Sequence, residues 1–307
     1  MILNLQDFEK IHNFFVKLQK DNYSSLTKEQ LERLEELDLS NLYLPREGIE
    51  SIPSEFSGIK TLKKIKLNNN LLNRFPEFLN TLKNIENIDL SYNRILDFPE
   101  KFYQLINLKE LNIAHTRINS VERIFDNLIN IEVLNISGLK LISLPGNIAN
   151  LHRLRSITLT SVRSIKNLPD SFKNLINLRV FSSRLCKFNN LAEELKKLPN
   201  LEELNLSTMF IEELPEEIGF IKTLKRIQIR QNFFTKLPES FANLEKLEYI
   251  ELDICVIESL CSFSKSLKNL KVIEIQDFEK FTIEPTRDLV HLSFPTAKII
   301  FFVDHVM

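Results

Sequence analysis

Two 23-residue stretches of almost the same design follow each other from Leu201: LEELNLSTMFIEELPEEIGFIKT, then LKRIQIRQNFFTKLPESFANLEK. Each opens with apolar residues at positions 1, 4 and 6. Positions 9 and 11 continue the pattern, and a Leu-Pro pair with a second apolar trio closes it. In the second copy these are Leu224, Ile227 and Ile229, then Asn232 and Phe234, then Leu237-Pro238, Phe241 and Leu244. The apolar spacing changes from 2 to 3 within the unit, so neither one helix nor one isolated strand satisfies it. A fixed period of this length marks stacked repeat units.

The same register places unit starts at Leu34, Leu62, Ile85, Leu108, Ile131, Leu154, Leu178, Leu201, Leu224, Leu247 and Leu270. Every interval is 23 or 24 residues except the first, which is 28. Positions 3 to 5 of each unit form a short extended segment in which an apolar residue is flanked by outward-pointing polar ones. Side by side, about eleven such segments make a parallel sheet with strands roughly 4.8 Å apart. Residues at positions 1, 4, 6 and 11 converge on the interior, and one unit cannot bury them without its neighbours. Pro53, Pro76, Pro99, Pro145, Pro169, Pro215 and Pro238 recur after the third apolar position. Lacking an N–H, they suit a turn or short 3₁₀ segment on the far side of the unit.

The pattern LxxLxLxxNxLxxLPxxFxxLxx resembles the leucine-rich repeat in its 23-residue form, over roughly 250 residues. The resemblance implies an α/β solenoid, a horseshoe or arc with a parallel concave sheet, convex turns and 3₁₀ segments, and a helical N-terminal cap. We divide the chain into a cap at 1–33, a solenoid of about eleven repeats at 34–278 and an irregular C-terminal cap at 279–307, all one structural domain. The family's ninth-position Asn bonds the backbone of adjacent turns. Asn70, Asn93 and Asn232 match it; Thr116, Cys186 and Cys255 are small replacements; Leu139, Val162, Met209 and Phe278 depart from it.

The ends are read from the residues themselves. Phe8, Ile11, Phe14 (or Phe15) and Leu18 recur at helical spacing, which predicts an amphipathic helix from about 6 to 20. Thr27 to Gln30 has capping-box spacing and predicts a second short helix. Together they cover the first open edge; a membrane-surface helix is disfavoured because its polar face has no excess of Lys or Arg. Five extra residues around Pro45-Arg46-Glu47-Gly48 form a small excursion, and Phe281 to Pro295 follows no period. The apolar run Ala297 to Val303 is predicted as a terminal strand over the last open edge.

With 40 basic and 41 acidic residues, net charge −1, the chain lacks the excess of a general nucleic-acid binder. No apolar run is long enough for membrane insertion. The first residues, MILNLQDFEKIHNFF, do not read as a secretory signal. An extracellular location would follow from removal of a preceding leader, a cytoplasmic one otherwise. Three cysteines, Cys186, Cys255 and Cys261, form no clustered framework and read as structural thiols. No nucleophile elbow, HExxH, phosphate loop or dinucleotide fingerprint is present, so neither an enzyme activity nor a cofactor or resident metal is expected. His12 and His152 fall on the cap helix and the convex side. His291 and His305 are expected to be solvated or cap-packing, with an opportunistic metal site as the alternative. Bacterial ubiquitin ligases with similar repeats carry a further catalytic domain for which no residues remain here.

That leaves the sheet. Positions 3, 5, 7 and 8 give two candidate partner-contact patches. One holds Lys64, Lys66, Asp89, Tyr92, Asn112 and His115; the other holds Arg184, Arg226, Arg230, Tyr249, Glu251 and Asp253. Tyr92, Val180, Leu185, Tyr249 and Ile254 stand in rows that solubility alone would make polar, and aromatic and Arg side chains are frequent interface anchors. Opposite charges on neighbouring strands could instead pair with each other, leaving a merely solvated face. The expected function is binding of a protein partner without chemistry, as a monomer or a weak homodimer joined through the Ile299–Val303 edge or the sheet face. The repeat type and a Lys/Asn/Ile/Phe-rich composition resemble bacterial, spirochaete-like, host-associated leucine-rich repeat proteins, which implies a secreted binder of host proteins. The alternative is an intracellular scaffold of the Ras-suppressor type.

Overall fold

The computed structural model describes residues 3–42, 52–277 and 283–303. The excursion at Pro45–Gly48, Phe278 and His305 lie outside them. The chain folds as two compact units, Met1–Leu154 and Arg155–Met307, each built on its own run of parallel strands.

The first unit opens with α1 (Leu5–Lys17), whose N-terminus is capped by Asn4 accepting the Asp7 N–H at 2.8 Å. Its apolar stripe buries Ile11, Phe14 and Phe15. Phe14 and Phe15 meet the Phe56 ring edge-on at 5.6 and 5.5 Å, so the helix closes the end of the core as expected. Two short helices follow, α2 (Asp21–Ser24) and α3 (Lys28–Glu32). The predicted capping box at Thr27 and Gln30 forms in both directions. Strands β1 (Glu36–Asp38), β2 (Lys64–Lys66), β3 (Asn87–Asp89), β4 (Glu110–Asn112) and β5 (Val133–Asn135) lie parallel in chain order.

The second unit continues with β6 (Ser156–Thr158), β7 (Val180–Ser182), β8 (Glu203–Asn205), β9 (Arg226–Gln228), β10 (Tyr249–Asp253), β11 (Val272–Asp277) and β12 (Lys298–Val303). These too are parallel and in chain order. Strands β1 to β9 each occupy positions 3 to 5 of their repeat, while β10 and β11 start there and run on. The stretch that follows no period contains a helix, α7 (Ile283–Ser293), which leads into the expected terminal strand.

The return side of each repeat obeys one local rule. After each of the seven prolines comes a five-residue 3₁₀ turn, from Ser54–Gly58 to Glu239–Asn243. Each proline sits at the N-cap, with φ between −54 and −71° and ψ between 115 and 156°. Proline has no N–H to donate, but its carbonyl accepts the first bond of the turn, as from the Phe56 N–H to Pro53 at 3.2 Å, and it holds the chain extended until the following residue. Where Glu122, Ala192 and Cys261 replace it, the return segment is α-helical: α4 (Glu122–Asn127), α5 (Leu191–Leu195) and α6 (Ile257–Ser262).

Inside, the ninth-position asparagines do the work the family resemblance implies. Asn93 donates to the carbonyls of Leu67 and Leu90 at 2.9 and 3.0 Å and accepts the Leu72 N–H at 3.0 Å. Asn70 and Asn232 repeat the arrangement. Thr116 donates to the Ile113 carbonyl and the Cys186 thiol to those of Leu159 and Arg184, while Leu139 and Val162 are simply buried. The sulfur of Met209 accepts the Ser183 hydroxyl at 3.7 Å, while Asn232 serves its N–H. A second asparagine row, at the last position of the repeat, was not anticipated. Asn84, Asn107, Asn130, Asn200 and Asn269 each donate to the carbonyl 24 residues earlier, at 2.7–2.9 Å.

Candidate functional site

In the first unit the strand register sets Glu36, Lys64, Asn87, Glu110 and Val133 side by side, and likewise Asp38, Lys66, Asp89, Asn112 and Asn135. Much of this charge is already spoken for. Lys64 lies 3.5 Å from Glu36, and Lys66 lies 3.0 Å from Glu36 and 3.6 Å from Asp38. The hydrogen bond from Lys66 holds the Glu36 carboxyl below its ordinary pKa and raises that of Lys66. Asn112 donates to Asp89 at 3.1 Å. Four of the six residues read as a contact patch therefore pair within the sheet.

Tyr92 and His115 are different. Tyr92 is 57% exposed, and its ring stacks on His115 with centroids 4.6 Å apart and an 18° interplanar angle. Both residues have left-handed backbones, with φ of 55°. Behind His115 lies Gly138, also left-handed at 67°, where an added Cβ would come 2.4 Å from His115 Nδ1. The missing side chain of Gly138 thus makes room for the imidazole, and the imidazole supports an exposed phenol.

The second unit gathers its patch into one network. The Arg226 guanidinium lies 3.9 Å over the Tyr249 ring, and the Tyr249 hydroxyl donates to Glu274 at 2.7 Å. Gln228 donates to Glu251, which pairs with Arg230 at 2.9 Å. Asp253 accepts the N–H groups of Gln231 and Asn232 at 2.6 and 3.3 Å. Arg184 is half-buried, with one nitrogen 3.5 Å from the Thr208 hydroxyl. Tyr249, Glu251 and Asp253 are 8%, 6% and 6% exposed, which corrects the expectation that this face is open there. Long side chains on strands about 4.8 Å apart cover one another. Burial, followed by the bond to Glu274, pushes the Tyr249 hydroxyl far above its usual pKa, and burial raises that of Asp253. Val180, Leu185 and Ile254 are only part-exposed. Of the apolar residues singled out in the sequence, Tyr92 alone stands clear in solvent.

Among the described residues no group of three or more His, Cys, Asp or Glu could hold a metal, and no helix is long and apolar enough to cross a membrane. The three cysteines are free thiols; Cys255 is exposed, while Cys186 and Cys261 are buried, which raises the pKa of both.

No family model and no curated protein matches the sequence. Solved structures do match. An internalin of Listeria monocytogenes superposes over 98% of this chain and 90% of its own, with a TM-score of 0.59 at 15% identity. A plant peptide hormone receptor in complex with RGF2 matches 82% of this chain and 45% of its own, with a TM-score of 0.52 at 19% identity. The fold is the leucine-rich repeat. At these identities the likeness is one of fold alone.

Within that leucine-rich repeat fold, one row went unread in the sequence. Position 8 is left-handed in nine successive repeats: Asn41, Asn69, Tyr92, His115 and Gly138 in the first unit, and Ser161, Leu185, Thr208 and Gln231 in the second. The conformation turns the chain off the strand. In both units it is held by an N–H bond to the next repeat, as from Tyr92 to Ala114 and from His115 to Ser137 at 2.8 and 2.7 Å. Residue types at this position vary too much to announce it. A mild preference for Asn and other polar residues was the available signal.

Proposed function

We propose that this leucine-rich repeat chain is a non-catalytic protein-interaction module, with a protein partner seated on the open sheet face and the edge that carries Tyr92. The observation that carries this reading is Tyr92 itself. A large aromatic is held outward on a strained backbone by an interlocked His115 and Gly138, where a solvated face would gain nothing from such an arrangement. Rigid aromatics of this kind lose little conformational entropy on binding and are common hot spots. Glu110 and Val133 are exposed along the strand row of the same unit and extend the surface open to contact there, and Arg226 is exposed in the second unit. The resemblance of repeat type and composition to bacterial, host-associated proteins makes a host protein the partner we propose, with the chain secreted to reach it.

The test is capture from host-cell surface and cytosolic extracts, comparing wild type with a Tyr92→Ala/Val133→Asp/Arg226→Ala variant whose circular dichroism and melting are unchanged. A protein retained by the first and lost by the second is the expected result, and its extract of origin reports the compartment. Equal retention by both would move the interface off the sheet face. Tyr249→Ala is unsuitable here, because it would break a buried network rather than trim a contact.

A further inference from the structure

The edge of the first unit carries basic but no acidic side chains over four repeats. Positions 7 to 12 of its four repeats from Leu62 comprise residues 68–73, 91–96, 114–119 and 137–142, and none of them is Asp or Glu. In the second unit the same positions at 160–165, 184–189 and 230–235 also lack Asp and Glu, whereas 207–212 include Glu212. The first-unit stretches carry Arg94, Arg117 and Lys140, all at position 10 of consecutive repeats. Backbone bonds fix that register: the Arg94 N–H donates to Leu72 at 2.7 Å and the Arg117 N–H to Ile95 at 2.9 Å. Arg94 is half-buried, and Arg117 and Lys140 are exposed. Among the described residues none of the three side chains makes an ion pair or hydrogen bond, although most cations on the sheet face do. Asp97, one position beyond the stretch, makes no ion pair with Arg94.

Three cations in successive repeats stand roughly one strand spacing apart. Like charges at such distances repel even in water, a repulsion that an anion lying along the row would reverse. The row is not purely electrostatic. Tyr92, Leu96 and Ile142 in the same stretches are 57%, 57% and 85% exposed. Phosphate or sulfate polymers present charge without apolar side chains and would leave Leu96 and Ile142 unused. An acidic polypeptide with interspersed apolar residues would use both kinds of group.

We infer that this edge, comprising Arg94, Arg117 and Lys140 with Tyr92, Leu96 and Ile142, docks an acidic segment of a partner protein in which apolar side chains alternate with carboxylates. The inference rests on the reading of the chain as a protein-interaction module and specifies the chemistry of the partner.

The probe is a fluorescein-labelled 12-residue peptide of alternating Glu and Leu/Phe, titrated with the full chain and followed by polarisation. Controls are the same peptide with Lys for Glu, a heparin oligosaccharide and a single-stranded oligonucleotide. Wild type should bind the acidic peptide, more weakly as salt rises, and should not bind the Lys peptide. Charge reversal at Arg94→Glu/Arg117→Glu/Lys140→Glu should weaken binding by at least about thirtyfold, and Tyr92→Ala/Leu96→Ser by about fivefold. Absence of binding by wild type, or indifference to the charge reversal, overturns the inference. So does a preference for heparin or the oligonucleotide that the Tyr92/Leu96 variant does not alter, since that would make the row a polyanion site. A partner captured from extracts, lost with the Tyr92/Val133/Arg226 variant but retained by the charge-reversed chain, would sink this inference alone and leave the interaction-module reading standing.

Discussion

Gly138 shows how one residue can set a surface several ångströms away. Its left-handed backbone would cost an alanine about 1–2 kcal/mol, and the new Cβ would also press on the His115 ring. We expect Gly138→Ala to destabilise the first unit and to tilt the Tyr92–His115 stack. In a His115→Ala background the same change should cost only the backbone share. A double-mutant cycle by urea denaturation measures the difference, and additive effects would show that the imidazole does not lean on Gly138. Asn93 makes a parallel case in the interior. Asn93→Leu installs the residue type found at Leu139, but leaves the Leu90 carbonyl and the Leu72 N–H without their partner, while the Leu67 carbonyl keeps Asn70. Each buried group left unpaired costs about 1–3 kcal/mol. The loss should therefore be large, even though leucine stands at the same position, as Leu139, two repeats further on.

At the scale of the element, the proline rule makes a discriminating prediction. Glu122 and Cys261 occupy the same repeat position, yet Glu122 is the first residue of α4 and Cys261 the fifth of α6. Proline suits the first turn of a helix but removes a bond and clashes with the preceding turn further in. Glu122→Pro should cost less than about 1 kcal/mol and Cys261→Pro about 3 kcal/mol or more. Similar denaturation midpoints for the two would show that the start of the helix is not what the proline sets. The same comparison explains what could be read in advance. Strand positions were legible because positions 1, 4 and 6 must point inward, which leaves 3 and 5 outward whatever their identity. The 3₁₀ turns were legible from proline. The three helical returns, α2 and α7 were not, because they depend on where a short turn starts rather than on an apolar period. The candidate site was legible in its row assignments but not in its exposure. Tyr92 stands at position 8 and Tyr249 at position 3, but neither position announces that the first stacks and stands out while the second lies beneath Arg226 and beside Glu274.

For the molecule as a whole, titration offers a test with two opposite signs. Lys66, Lys10 and Arg123 hold Glu36, Glu55 and Glu100 below their ordinary pKa in the first unit. In the second unit Lys196 does so for Glu193 and Lys271 for Glu248. A carboxyl whose folded pKa is depressed contributes stability that is complete above its unfolded value and is lost as pH falls through the folded one. The chain should hold its stability from neutral pH down to about 5 and then lose it in a broad acid limb, because many small contributions titrate separately. Added salt should flatten that limb, since these pairs are largely exposed. Asp253 has the other sign. Burial raises its folded pKa despite the N–H donors of Asn232 and Gln231. Its contribution is therefore most favourable below the unfolded value and declines as pH rises through the folded one. Asp253→Asn keeps an oxygen for those N–H groups and removes the charge. Relative to wild type, it should gain stability as pH rises from about 4 to neutrality. Urea denaturation at several pH values, followed by circular dichroism, reads both effects. If the variant is instead less stable than wild type at neutral pH and equal to it in acid, the attraction of the carboxylate for Arg230 and the two N–H groups outweighs its burial.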